Sequence, residues 1–253
     1  MNLFRTGSLL IFNFLFFSAF AQAPGCPNID AGPDQNLNCS TPCTNLNATV
    51  LQTGATNTYT VSSIPYAPPS AFTGGTPVSA GTDDVWSPVI NLPFNFCFFG
   101  NMYNQAVVGS NGLVTFDATV AGGYCPWAFT STIPSGAATP PNNSIFGVYQ
   151  DIDPSAGSGA DINYIVTGTA PCRMLIVNFY NVPLFSCTSL SATSQIVIYE
   201  TTNVIEVYVE SNPTCAGWNS GNSVIGIEDV PGTTAFAPPG RNTGAWTVST
   251  PES

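Results

Sequence analysis

The stretch Gln195-Ile196-Val197-Ile198-Tyr199-Glu200-Thr201-Thr202-Asn203-Val204-Ile205-Glu206-Val207-Tyr208-Val209-Glu210 decides the fold. Two runs rich in β-branched residues flank a short polar turn, which predicts an antiparallel hairpin. In an extended chain, side chains alternate between faces. Ile196 and Ile198 therefore share one face of the first strand, and Ile205, Val207 and Val209 share one face of the second. Glu206, Tyr208 and Glu210 fall on the opposite face, which is predicted to meet water. A sheet with one apolar and one polar face is the half of a β-sandwich.

The same signals continue on both sides of the hairpin. Residues 58–62 alternate. Phe94-Asn95-Phe96-Cys97-Phe98-Phe99 follows Pro93 and stops at Gly100. Residues 105–110 and 113–117 flank Asn111-Gly112, a strong hairpin signal because both central residues of such a turn favour φ > 0. Residues 145–150 and 162–166 flank an acidic, glycine-rich loop. Residues 172–180 are almost wholly apolar and read as a central strand covered on both faces. Residues 223–228 and 245–249 add two more runs. No stretch keeps a helical period over two turns, and no repeat of fixed length recurs. The reading is an all-β chain, an antiparallel β-sandwich of jelly-roll-like or Ig-like type over residues 45–253, with roughly eleven strands.

Composition agrees. Among 253 residues, 23 glycines and 22 prolines punctuate the chain, and 44% of residues are hydrophobic, so the low charged fraction of 7% is no sign of disorder. Three basic residues against 14 acidic ones give a formal charge of −11, with no lysine. A chain this acidic has no basic face for nucleic acid. With no histidine, Ser-His-Asp and Cys-His catalysis are excluded, as are His-ligated metal sites.

Residues 1–21 read as a secretory signal peptide. Arg5 supplies the n-region charge, residues 9–17 are apolar except for Asn13, and Ala19-Phe20-Ala21 precedes the expected cut before Gln22. The apolar run is shorter than the ~20 residues needed to span a bilayer. Loss of Arg5 leaves Arg173 and Arg241 against 14 acids, 2 − 14 = −12. No second apolar run of membrane length follows, so the mature chain is expected to be secreted or held at the outer cell surface without a membrane span. Residues 22–44 form a Cys/Pro-rich lead-in. All eight cysteines, Cys26, Cys39, Cys43, Cys97, Cys125, Cys172, Cys187 and Cys215, follow the cut, and an even number in an exported chain predicts four disulfides. Spacing does not choose among about a hundred pairings; Cys39–Cys43 and Cys172–Cys187 are the local guesses.

Several residue groups bear chemistry. Asp151, Asp153 and Asp161 bracket the acidic loop, and carboxylates two apart at a strand end suit a structural calcium ion. The plainer reading is a solvated turn whose aspartates accept backbone N–H bonds. No other cofactor is expected. Carboxylate pairs Asp151/Asp153, Asp83/Asp84 and Glu228/Asp229 are the candidates for glycosidase chemistry, which needs two acids ~5–9.5 Å apart. Trp86, Trp127, Trp218 and Trp246, with Tyr103 and Tyr124, are candidates for stacking on a glycan, set against the plainer reading that they plug the ends of the sandwich. Arg173 and Arg241 are each expected to pair with a carboxylate.

Three motifs carry a family resemblance. Leu92-Pro93-Phe94-Asn95-Phe96-Cys97-Phe98-Phe99-Gly100, Val108-Gly109-Ser110-Asn111-Gly112-Leu113-Val114-Thr115-Phe116-Asp117 and Gly147-Val148-Tyr149-Gln150-Asp151-Ile152-Asp153-Pro154 resemble the nidogen-like pattern of an aromatic strand, an S-N-G hairpin and an acidic D-x-D-P turn. Thr193-Ser194-Gln195 with the hairpin that follows, Val224-Ile225-Gly226-Ile227-Glu228 and Pro239-Gly240-Arg241-Asn242-Thr243-Gly244 are similar to a module of very large surface proteins of gliding, Bacteroidetes-type bacteria, exported by type IX secretion. Ala31-Gly32-Pro33-Asp34-Gln35 resembles the first strand of the PKD-like repeats that accompany it. Such proteins ordinarily carry further repeats and a C-terminal sorting domain, so the resemblance implies a fragment of a longer protein or a stand-alone copy. It implies a non-catalytic module for adhesion or surface architecture, with a surface glycan, a protein ligand or neighbouring modules as partners, and it brings no catalytic residue. A carbohydrate-binding module is the alternative, and a secreted glycan hydrolase the third reading.

Overall fold

The computed structural model describes residues 26, 29–30, 32–40, 42–50, 56–78 and 81–253. The predicted signal peptide lies outside them. Fourteen strands follow in chain order: β1 Ile29–Asp30, β2 Thr49–Val50, β3 Thr76–Pro77, β4 Ile90–Phe98, β5 Asn101–Gly109, β6 Leu113–Thr115, β7 Ser144–Tyr149, β8 Asp161–Thr167, β9 Met174–Leu184, β10 Cys187–Tyr199, β11 Ile205–Ser211, β12 Asn222–Glu228, β13 Ala235–Phe236 and β14 Asn242–Ala245. β11-β10-β9-β8-β3 form one sheet and β13-β12-β7-β6-β5-β4 the other, with β14 beside β12 and every pairing antiparallel. β1 and β2 pair separately. The chain is an all-β antiparallel sandwich, as the alternation predicts.

The deciding hairpin forms in the expected register, with Ile196 opposite Val207 and Ile198 opposite Ile205. Ile196 and Ile198 join Leu175, Val177 and Phe179 of β9 in the central core, facing Phe94, Phe96 and Phe98 of β4. Each fully buried side chain of this size contributes ~1.5–3 kcal/mol. β9 lies in the middle of its sheet and is buried on both faces, as its apolar sequence requires.

The outer face of this sheet departs from expectation. Tyr208 is buried with Ile176, Val197 and Tyr199, and Ile64 and Tyr66 pack over them. Glu206 accepts hydrogen bonds from the hydroxyls of Tyr199 and Tyr208. The covering segment, residues 56–75, is irregular, so the alternation of 58–62 does not make a strand. It also caps a buried amide ladder. The Gln195 side chain donates to Asn178 Oδ1 at 2.7 Å, and Asn178 donates to Asn163 Oδ1 at 2.9 Å. Gln195 and Asn163 also donate to the backbone carbonyls of Ser70 and Phe72. Amides leave water without penalty only when so paired, and this pairing draws the coil onto the sheet.

The other sheet is covered too. Val107, Leu113, Phe146 and Val224 face outward against Trp86, Cys125, Phe129 and Ile133. The predicted turn after β5 spans three residues, and only Gly112 of Asn111-Gly112 is left-handed, at φ 88°. A side chain at Gly112 would collide with the Val148 carbonyl.

Two disulfides form among the described residues, Cys26–Cys172 and Cys187–Cys215. The expected count of four and the local pair Cys172–Cys187 are therefore corrected. Cys172 precedes β9 and Cys187 opens β10, at opposite ends of the β9 strand, and each finds its partner in another segment. Cys39 and Cys43 are exposed thiols, not a pair. Cys97 and Cys125 are buried free thiols, Cys97 under the Thr56 backbone, whose N–H donates to its sulfur at 3.3 Å, and Cys125 in the cover packed on Trp86 and Leu113. Burial pushes the Cys125 thiol up to about 12. No helix among the described residues is long and apolar enough to cross a membrane.

Candidate functional site

At one end of the sandwich, four segments bring acids and aromatic rings together. Residues 85–87 run beside the end of β5: Ser87 N donates to Val108 O at 2.8 Å and Ser110 N to Val85 O at 2.9 Å. This delivers Asp83 and Asp84 to the β5–β6 turn. Asp151 leaves the end of β7, and the Ile152–Leu184 bridge holds it beside the β9–β10 turn, where Phe185 N donates to Asp151 O at 3.1 Å. Cys187–Cys215 then staples that turn to the loop after β11. Trp218 N donates to Cys215 O at 3.1 Å, which sets the Trp218 ring 4.8 Å from Phe185. Trp127, from the covering loop of the other sheet, lies 5.3 Å from Trp218.

One carboxylate oxygen each from Asp83, Asp84 and Asp151 fall within 4.8 Å of one another. The Trp218 indole donates to Asp151 Oδ2 at 2.6 Å, and the Trp127 ring beside it lies near Asp84. Asp151 is only 6% exposed, and its Oδ1 has no partner among the described residues. Asn111, fully buried, stands behind the group. Its amide donates to Asp84 Oδ1 at 2.9 Å and to Cys125 O at 3.2 Å, while its Oδ1 accepts from Ile152 N at 3.2 Å. Burial raises Asp151 to about 7, and the charges on Asp84, Asp83 and Asp153 act in the same direction against the Trp218 bond. Burial, then the charges on Asp84 and Asp153, raise Asp83 to about 6. Asp84 is raised as well, burial again being the main cause.

The sequence candidates distribute unevenly. Asp151 belongs to the group. Asp153 is spent on its own turn, accepting from the backbone and hydroxyl of Ser155. Asp161 opens β8 and accepts from the Asn163 amide at 2.7 Å. The partners that join Asp151 are Asp83 and Asp84, which sequence reading weighed only as a pair of their own. Asn111 was legible only as a turn residue. Of the tryptophans, Trp127 and Trp218 meet at the site, half-buried. Trp86 is core, and Trp246 is buried with the Arg241 guanidinium 4.6 Å above its ring. Tyr124, bridged through its backbone neighbours to Val85, is exposed beside the site, and Tyr103 stacks on Phe116. Glu228 and Asp229 lie elsewhere, engaged with backbone amides of Ser135 and of Thr233 and Thr234. Both arginines pair as expected, Arg173 with Glu200 and Arg241 with Glu252.

Fold and site together define an all-β, disulfide-linked sandwich module with a compact acidic and aromatic end. The chain belongs to the NIDO-related family, whose model matches residues 56–252, from the covering segment to the last bridge with β11. This bears out the nidogen-like part of the resemblance. No curated protein and no solved structure matches the chain.

Proposed function

We propose that the chain is a non-catalytic module working outside the cell in adhesion or surface architecture, in a gliding-type bacterium that exports it by type IX secretion. The observation that carries this reading is the pair of disulfides, Cys26–Cys172 and Cys187–Cys215, which persist in oxidising compartments. The family supports it, and so do two sheets covered on both sides, which make a stiff spacer. N-terminal sequencing of the protein recovered from the envelope or medium tests it. The expected first residue is Gln22. An uncut chain in the reducing cytoplasm, with all thiols free, overturns it.

A second reading, carbohydrate binding, is favoured by one observation: Trp127, Trp218 and Phe185 gather at one end with Tyr124 exposed nearby. Rings with a polar edge are suited to wet interfaces. A glycan array with the mature chain and its Trp127→Ala variant tests it. Binding that the variant loses supports this reading, and an array with no signal removes it while leaving the first intact.

A further inference from the structure

The group at the sandwich end presents an electrostatic problem. Three carboxylates crowd within 4.8 Å, and one of them, Asp151, is almost wholly withdrawn from water. Charges of one sign at this spacing and burial oppose ionisation unless something of opposite sign joins them. The described residues do not supply it. Arg173 and Arg241, the basic residues among those described, are committed to Glu200 and Glu252.

The hydrogen bonds around the group are one-sided. Asn111 holds Asp84 from behind, and Trp218 holds Asp151 from the side. These donors orient the carboxylates without neutralising them. They leave Oδ1 of Asp151 unmet, although a buried oxygen of this kind ordinarily has a partner. An orphan acceptor beside two further carboxylates is the arrangement that a bound cation completes. The donors are all oxygen, with no nitrogen or thiolate ligand, which selects a hard cation. Irregular loop-borne carboxylates suit the variable coordination of calcium better than the strict octahedron of magnesium.

We propose that Asp83, Asp84 and Asp151 bind one calcium ion, with Oδ1 of Asp151 among its ligands. The ion ties the loop before residue 85 to the end of β7, and through Trp218 to the loop stapled by Cys187–Cys215. This differs from a site on Asp151, Asp153 and Asp161, because Asp153 accepts from Ser155 in its own turn and Asp161 from Asn163 at the start of β8. It is independent of what the module adheres to.

The test uses the mature chain, stripped with EDTA and dialysed at neutral pH. Calcium is titrated by calorimetry and by melting temperature, and terbium is titrated as a luminescent stand-in excited through tryptophan. Expected are one site, a melting temperature that rises with calcium, and terbium emission that calcium displaces, since the Trp218 ring touches the site. Asp83→Asn and Asp84→Asn, at half-buried positions, are expected to weaken calcium binding by about tenfold or more, whereas Glu210→Asn, at an exposed acid on β11, leaves it unchanged. Asp151→Asn is the most direct variant, and the other two keep the test decisive if it fails to fold. The proposal is overturned if calcium gives neither heat nor a melting shift. It is equally overturned if Glu210→Asn weakens binding as much as Asp83→Asn, which marks diffuse attraction to an acidic chain, or if a proton alone relieves the group, so that acid stabilises the chain while calcium does nothing.

Discussion

The indole nitrogen of Trp218 lies 2.6 Å from Oδ2 of Asp151, so the more buried acid of the cluster spends one oxygen on tryptophan while the other has no partner among the described residues. The contact joins two loops that are 67 residues apart in the chain. Its strength follows from charge: a hydrogen bond to an ionised carboxylate is about twice as strong as a neutral one.

Trp218→Phe keeps a ring against Phe185 and Trp127 and removes the donor. We expect a loss of about 1.5–3 kcal/mol, the range for bonds to charged groups. Urea unfolding of the variant measures it. A loss no larger than that of a surface substitution means that Asp151 is neutral in the native protein.

Asn111→Ala removes the support behind the cluster. Three hydrogen bonds disappear together: the buried Ile152 amide and Cys125 carbonyl and the half-buried Asp84 lose their Asn111 partner. Each buried group left unmet costs about 1–3 kcal/mol, so the variant is expected to lose several kcal/mol and to lower the melting temperature steeply. Asn111→Asp, equal in shape, is expected to be at least as damaging, because it sets a fourth carboxylate against Asp84. Differential scanning calorimetry of the two variants checks the order.

Cys187→Ser with Cys215→Ser opens a loop with a sequence separation of 28. Chain entropy for a loop of that length corresponds to about 3–4 kcal/mol. The same change frees the Trp218 loop, so native tryptophan emission is expected to shift to longer wavelength before any global unfolding. Unchanged emission shows that Asp151 and Phe185 hold Trp218 without the staple.

Glu228 provides a pH test away from the cluster. It is fully buried, with Oε1 accepting from Ser135 N at 2.7 Å and Oε2 unpartnered among the described residues. Burial raises its carboxyl above the ordinary value of 4.5, outweighing the backbone bonds that lower it. A raised folded value means that the native state holds the proton more tightly than the unfolded chain. The resulting stability is complete below 4.5 and is lost as pH rises through the folded value. Glu228→Gln lacks that loss. Melting temperatures of the two proteins are expected to lie closest in acid and to diverge in favour of the variant towards neutral pH. Parallel curves refute the assignment.

The sequence speaks clearly where a period is imposed by the backbone. The 195–210 hairpin and the apolar β9 are legible because alternation and uniform hydrophobicity follow directly from one-sided and two-sided burial. The cover over Tyr208 is not, because residues 56–75 bind through single contacts such as Ile64, Tyr66 and the carbonyls of Ser70 and Phe72, which obey no period. The cluster was half legible. Asp151 announced itself at a strand end, but its meeting with Asp83 and Asp84 depends on how residues 85–87 lie along β5, a tertiary fact. Asp161 opens β8 and accepts from the Asn163 amide, a contact that alternation within the strand does not announce. The disulfides are neither countable nor assignable from the sequence, since loop closure favours no pairing strongly and nothing in the sequence marks Cys39, Cys43, Cys97 and Cys125 as thiols.

The two ion pairs bear on how the folded chain meets trypsin-like proteases. Trypsin-like proteases must draw an extended stretch around a basic residue into their cleft, and cleavage concentrates where the backbone is exposed and loosely held. Arg173 hydrogen-bonds Glu200 through both side chain and backbone, and Arg241 is clamped by Glu252 while lying over Trp246. With no lysine anywhere in the chain, residues 56–252 offer this class of enzyme two sites, both locked in place. Residues 56–252 are expected to stay intact under trypsin while folded and to be cut once unfolded, which a digestion series in urea checks.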